Sequence, residues 1–368
     1  MKKIFLAVTT DLNYDQRMQR ICTTLAQADY QVLLMGRTWP ESLPLLPRTY
    51  KQHRLNCFFN KGKLFYLEYS IRLFCYLLFK AFDAFVAIDL DTAVPLYVKA
   101  RLSKKAFVYD AHEYFTEVVE VVNRPIIQKT WLAIERFILS RTRFAYTVND
   151  SLARLFYNRY QVPFAVIRNC PILEPDLTLP APNSRDYLLY QGALNEGRGL
   201  EQLLQAMVLV DKKLVLCGKG DKYDYLKKLS KDLGLQDKVI FKNYVRPEEL
   251  KQITRNAFLG INLLENWGLN YYYSLGNKFF DYLHAGVPQL VVDFPEYQQL
   301  NNQWEVAKIV ILDPETIATA INQLIHDAAY YDKLVQNCLI ARQHWNWQNE
   351  EKKLLDFYKT IWGPAPKI

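Results

Sequence analysis

Two doubly wound α/β domains, each a parallel sheet covered by helices on both faces, are what this sequence predicts. Three observations point there. A chain of 368 residues is too long for one ordinary core and suits two. Short apolar runs alternate with stretches of helical spacing along the chain, as buried parallel strands and their crossover helices do. A polar, proline-rich stretch from Pro171 to Ser184 interrupts that alternation, which then restarts. The expected division is residues 1–175, residues 176–345 and a last segment, 346–368, that packs back on the N-terminal domain as a helix.

Taken in order, Lys3–Val8 is apolar and stops at Thr9-Thr10-Asp11, so it reads as a buried strand and not as a signal peptide. Met18, Ile21, Cys22 and Leu25 give Tyr14–Ala28 a helical period, and Gln31–Gly36 is a second strand. Leu64–Phe82 is the greasiest stretch. Glu68 and Arg72 interrupt it and it is too short to span a bilayer, so it reads as an amphipathic helix. A core helix is the simpler explanation, and a surface resting on a membrane is the other. Strand Ala84–Ile88, a helix capped near Asp91, strand Ala106–Tyr109, helix Ile126–Arg141, strand Phe144–Val148, helix Asp150–Tyr157 and strand Phe164–Ile167 complete the first half.

Beyond the proline-rich stretch the expected strands are Tyr187–Gln191, Leu214–Cys217, Val239–Phe241, Phe258–Leu263, Gln289–Val292 and Lys308–Ile311, with helices between them. Repeated β-α units imply parallel sheets, and ligands of such sheets bind where strand C-termini end. A helical aromatic tail runs from Trp345 to Trp362.

Composition narrows the function. Half of the residues are hydrophobic, which excludes a disordered chain. None of the six cysteines stands in a C-x-x-C pair, and they read as reduced core thiols of a cytoplasmic protein. A net charge of +8 suits anionic small molecules or peripheral contact with anionic lipid. No basic tract interleaved with aromatics argues for nucleic acid.

Four motifs carry chemistry. Gly192-Ala-Leu-Asn-Glu-Gly197-Arg198-Gly199 follows a strand and opens a helix, where free backbone N–H groups face a phosphate and Arg198 adds a fork of donors. Arg198-Gly199 stands where an ATP-binding P-loop needs Lys-Ser/Thr, so that reading is rejected. Gly218-Lys-Gly220-Asp221 also follows a strand, but Tyr223 replaces the third glycine of a dinucleotide fingerprint, leaving a tight turn or a lining of the cleft between the domains. Asn277-Lys278-Phe-Phe-Asp281 begins a helix that ends at Gly286, with Pro288 beyond. Lys278 at that N-terminus suits a diphosphate, and Asp281, one turn on, suits a ribose diol. A surface Lys278–Asp281 pair is the bland alternative. Asp110-Ala-His112-Glu113 ends a strand, where a satisfied structural histidine explains the motif as well as a functional one.

Together these residues resemble the group 1 glycosyltransferases (family 4) of the GT-B fold, two Rossmann-like domains facing a cleft, in the branch with an Asn-Lys-x-x-Asp/Glu-Tyr signature. The resemblance runs through Asp15-Gln-Arg17, Asp110-Ala-His112-Glu113, Ile167-Arg-Asn169, Gly192–Gly199 and Asn277–Gly286. It implies that His112, with Glu113, works at the donor sugar; that Gly192, Arg198, Asn277 and Lys278 hold the donor diphosphate; and that Asp281 holds the ribose. Two positions depart from the family pattern. Tyr273 stands where a first acidic residue is common, with Glu265 nearby but out of register as the donor-sugar candidate, and Ala193 replaces a common arginine. Asp89-Leu-Asp91 invites comparison with the D-x-D metal motif of the other large glycosyltransferase fold, but Asp91 as a helix cap is the favoured reading.

The resemblance implies transfer of a sugar, with retention, from a nucleotide-diphosphate sugar to a glycan or lipid-linked acceptor in cell-surface polysaccharide assembly. The setting is cytoplasmic, on the inner face of a membrane. No cofactor and no metal are expected, because two cations neutralise the leaving diphosphate. A nucleotide-sugar 2-epimerase on the same fold is one rival. A non-catalytic partner subunit, motivated by Tyr273, is the other.

Overall fold

The computed structural model describes residues 1–180 and 184–363. Three residues of the expected linker, 181–183, and the last five of the chain lie outside that range. The described residues form two compact units: 1–169 with 349 onward, and 170–348.

The first unit opens with β1 (Lys3–Ala7), α1 (Gln16–Gln27), β2 (Gln31–Arg37), β3 (Lys51–Leu55) and α2 (Gly62–Leu77). It continues with β4 (Ala84–Ile88), α3 (Asp89–Ser103), β5 (Ala106–Ala111), α4 (Val119–Val122), α5 (Pro125–Leu139), β6 (Phe144–Thr147), α6 (Asp150–Tyr160) and β7 (Phe164–Val166). Its seven strands pair in the order β3-β2-β1-β4-β5-β6-β7, and every pairing is parallel. The order reverses between β1 and β4, the place where a doubly wound sheet opens a crevice beyond its strand ends.

The second unit holds β8 (Tyr187–Gln191), α7 (Leu200–Ala206), β9 (Lys213–Cys217), α8 (Tyr223–Asp232), β10 (Val239–Lys242), α9 (Pro247–Arg255) and β11 (Leu259–Asn262). After them come α10 (Leu269–Tyr272), α11 (Asn277–His284), β12 (Gln289–Val292), α12 (Pro295–Asn301), β13 (Ala307–Val310), α13 (Pro314–His326) and α14 (Ala328–His344). Its sheet runs β10-β9-β8-β11-β12-β13, parallel throughout, and reverses between β8 and β11. The two sheets are of the GT-B kind.

The last helix, α15 (Trp347–Trp362), belongs to the first unit from Asn349 onward. Tyr358 is fully buried, Phe357 meets the Tyr146 ring at 5.1 Å and Trp362 stacks on Tyr30 at 5.4 Å. Glu350 accepts the Arg168 N–H at 2.8 Å. Residues 170–180 are no free spacer: Cys170 lies in the second core, and Glu174 pairs with Lys251 at 2.8 Å and with Arg255.

Three local expectations need correction. Strand β3 was not foreseen, because Lys51-Gln-His-Arg-Leu55 is a half-exposed edge strand that pairs with β2 alone and so lacks an apolar run. Helix α2 ends at Leu77 and not at Phe82; the Lys99 ammonium takes the Leu78 carbonyl at 2.9 Å, a cation closing a helix C-terminus. Asp91 is not the cap of α3. The helix already begins at Asp89, its cap position is Ile88, and no side chain caps it there.

Candidate active site

In the second unit, β8 ends on Gln191 and the chain turns sharply into Gly192, at φ 132, a conformation that favours glycine. The Gly192 N–H donates to Cys217 O at 3.0 Å and Leu194 N–H to Lys219 O at 3.0 Å. These bonds press the two glycine loops together. A Cβ on Gly218 would lie 1.9 Å from Gly192 O, so the Gly218 motif is there for close backbone approach. The Tyr190 hydroxyl donates to Ala193 O at 2.7 Å and fixes the loop from below.

Helix α11 points its N-terminus at this loop, and no side chain caps it. The Phe279 N–H already bonds Gly276 O at 3.0 Å, but the positive end of the helix dipole still favours an anion there. Lys278 reaches back so that its ammonium lies 3.9 Å from the centre of the Tyr190 ring and 3.7 Å from where a Gly192 Cβ would stand. The ammonium is out of contact with solvent and makes no hydrogen bond. Burial, with the Arg198 guanidinium adding like charge, pushes it down to about 7, and Asp281 only partly offsets this. Such a group is stabilised by any anion that enters. Arg198 lies over the Tyr271 ring at 5.4 Å, and its Nε is buried without a hydrogen bond. Asn277 is exposed at the first position of the helix.

Asp281 accepts a hydrogen bond from Gln191 Nε2 at 3.0 Å, and Gln191 Oε1 accepts from Thr254 at 2.8 Å. Its neighbour Tyr282 is buried beneath the sheet, where its hydroxyl donates to Leu189 O at 2.9 Å. A Cβ at Gly260 would sit 2.4 Å from that ring. Tyr282 therefore fixes the height of α11 against β8. Glu265 sits beside the loop: its N–H donates to Gly197 O at 2.9 Å and its carboxylate takes the Trp267 indole N–H at 2.8 Å. Tyr273 packs edge-on against Tyr272 at 5.1 Å.

The first unit gathers a second set at the ends of β1, β4 and β5. His112 Nε2 lies 3.0 Å from Asp110 Oδ2, and Asp110 Oδ1 is 3.1 Å from Arg17 Nη2. Arg17 and Asp110 are buried, and Arg17 also donates to Ile167 O at 2.8 Å. Burial alone would lower His112, but the Asp110 carboxylate outweighs it and leaves the imidazole above its ordinary value. Burial would likewise raise Asp110, and Arg17 and His112 hold it low instead. The His112 N–H donates to Asp89 Oδ1 at 2.9 Å. Asp89 adopts φ 54, a left-handed conformation costly for a residue with a side chain, and so spends strain on holding the histidine backbone. Asp91 accepts from the Thr9 hydroxyl at 2.5 Å, and burial pushes it up to about 6. Glu113 is exposed, and its charge raises both aspartates further.

The expected phosphate, ribose and Glu265 positions thus come together in one unit, and His112 and Glu113 in the other. Sequence reasoning missed Tyr190, Gln191 and the Asp110–Arg17 pair, although Asp15-Gln-Arg17, Asp110 and Ile167 were each in view as separate motifs.

Residues 178–339 match the family of group 1 glycosyl transferases. The matched segment carries every phosphate and ribose candidate named above. An uncharacterised glycosyltransferase of Methanocaldococcus jannaschii is 26% identical over 184 residues, 47% of this chain and 44% of that protein, so the match spans less than half of either. Among solved structures, sucrose-phosphate synthase of Thermosynechococcus elongatus superposes with a TM-score of 0.82 at 17% identity, covering 98% of this chain and 99% of its own. Anabaena HepE, solved with UDP and glucose, gives 0.75 at 12% identity over 98% of this chain and 100% of its own. These likenesses are of fold alone, and they cover nearly the whole chain. No helix of the described residues is long and apolar enough to cross a membrane.

Proposed function

We propose that this chain is a glycosyltransferase of family 4, moving a sugar with retention from a nucleotide-diphosphate sugar to a glycan or lipid-linked acceptor. One observation carries the reading. A buried ammonium without a hydrogen-bond partner waits above Gly192, beside Arg198 and the N-terminus of α11, which no side chain caps, with the Asp281 carboxylate one turn along. A doubly charged diphosphate with a ribose attached satisfies all of these groups at once. The relative solved with UDP and glucose supports such a donor.

In this reading the anomeric carbon–oxygen bond breaks and its electron pair passes to the diphosphate. Arg198 and Lys278 take up the developing charge, the main contribution expected of such a site. The acceptor hydroxyl bonds to the same carbon, and its proton passes to the oxygen of the departing diphosphate. His112, aimed by Asp110, positions the sugar, with Glu113 beside it. Two cations balance two phosphate charges, so the reading requires no metal. The work belongs to cell-surface polysaccharide assembly at the cytoplasmic face of a membrane.

The test is turnover of a panel of UDP, GDP, ADP and CMP sugars with and without acceptors. His112→Ala is expected to lower turnover by about a hundredfold, with nucleotide-diphosphate affinity retained. Sugar conversion without acceptor would instead favour an epimerase. Nucleotide binding without any turnover would favour the partner-subunit reading that Tyr273 motivates.

A further inference from the structure

Helix α2 carries two apolar stripes. Phe65, Tyr69, Leu73 and Leu77 are buried against the first unit. Leu64, Leu67, Ile71 and Leu78 lie on the outside and are about half exposed, at 47%, 58%, 54% and 44%. Phe79, just past the helix, is 98% exposed. A surface helix of a globular protein ordinarily gives that outer face to polar side chains. Scattered exposed leucines need no explanation, but a continuous stripe with i, i+3, i+4 spacing does. The neighbouring α3 packs on α2 and adds Val94, Val98 and Leu102, spaced four apart, with Leu102 70% exposed.

The charge around this face is predominantly positive. Lys63 in the first turn of α2, and Lys61 and Lys80 on either side of the helix, are exposed. At the end of α3, Arg101, Lys104 and Lys105 line one recess beside Leu102, Lys105 also pairing with Asp83 at 3.2 Å. Among the described residues neither helix exposes an acid. Glu68 is held by Arg72 at 2.7 Å and by the Phe58 and Phe59 N–H groups, and Asp89 and Asp91 turn to His112 and Thr9.

We propose that the outer face of α2 and α3 is a docking surface for an anionic lipid bilayer, the stripe entering the acyl boundary and the lysines and arginines meeting lipid phosphates. Basic residues around an apolar helix face are the combination that holds a protein in the membrane interface. A second copy of this chain is the poorer occupant, because a two-fold contact through the same face brings its cations against themselves. The inference rests on the proposed function only for the membrane setting of the acceptor.

The experiment is flotation of the full chain with vesicles of phosphatidylcholine alone or with phosphatidylglycerol added. Wild type should float with the anionic vesicles, weakly with neutral ones, and less at about 0.5 M salt. Leu67→Gln, Ile71→Gln and Phe79→Ser should each reduce partitioning by about tenfold, the scale of one large apolar side chain leaving water. Lys63→Glu with Lys80→Glu should abolish the preference for anionic lipid. Thermal unfolding and nucleotide affinity are measured on the same preparations and should not change, so failure here and failure of the enzymatic reading are separate results. No flotation of wild type, equal flotation of the variants, or a dimer in solution that the apolar substitutions dissolve would each overturn the proposal.

Discussion

Donor binding should be tied to pH through Lys278. In the free protein its ammonium is pushed down to about 7 from an ordinary 10.5, because burial and Arg198 disfavour the charge. A diphosphate seated against it restores the charged form, so binding takes up a proton wherever the free amine is neutral. Only the protonated fraction is competent, and the apparent affinity scales with that fraction. With a value near 7 that fraction is about ten in eleven at pH 6 and about one in eleven at pH 8. Affinity should therefore fall about tenfold between those limits, or about 1.4 kcal/mol. A nucleotide sugar is the right ligand, because its diphosphate is esterified at both ends and keeps its charge across the range. Calorimetry in buffers of different ionisation enthalpy reads both the affinity and the proton taken up. Lys278→Met, which keeps the bulk and removes the titration, should flatten the profile. The folded protein should also gain stability as pH rises from about 7 towards 10.5, since there the unfolded chain alone binds the proton. Affinity that is level from pH 6 to pH 8, or a slope that survives in Lys278→Met, would refute the assignment.

Asp281→Asn should narrow the affinity gap between a ribonucleotide diphosphate and its 2′-deoxy analogue, read by the same calorimetry, with a loss of about 1.5–3 kcal/mol for the ribonucleotide. Asp110→Asn should bring the His112 imidazole down, followed in its proton resonances, and should destabilise the fold by about 3–5 kcal/mol because Arg17 is left buried without its charge partner. In wild type, the stability His112 gains from Asp110 is complete below its unfolded value and disappears as pH rises through its raised folded value, so a denaturation series across that window should show a fall that Asp110→Asn lacks. Gly218→Ala should move the Gly192 loop and weaken nucleotide-diphosphate binding, with a stability loss of about 1–3 kcal/mol; unchanged binding would mean that the two loops are not pressed together as described.

Much of the fold was legible because parallel strands buried on both faces must be apolar, and β1, β4, β8 and β12 are. The same logic hid β3, which borders only β2 and keeps polar side chains. The phosphate side of the site was readable because Gly192, Arg198 and Lys278 stand at strand and helix ends that sequence periodicity locates. The supports were not. Gln191 reaches Asp281 across 90 residues and Arg17 reaches Asp110 across 93, and no local spacing encodes such contacts. Asp91 was misread because a carboxylate ahead of a helical run resembles a cap, whereas a left-handed Asp89 starts this helix early and frees Asp91 for Thr9. Helix α2 has the buried apolar stripe that a core helix requires and a second one exposed on its outside.

The return of α15 to the first unit has a consequence for synthesis. Residues 170–348 emerge from the ribosome as one uninterrupted stretch that makes up the second unit, whereas the first unit lacks Tyr358, Phe357 and Trp362 until the residues beyond that stretch have been made. The first unit is thus begun before the second and completed after it. Until then Tyr30 and Tyr146 have no aromatic partners from the tail, and the nascent first unit must keep that surface uncovered while the second unit closes its core.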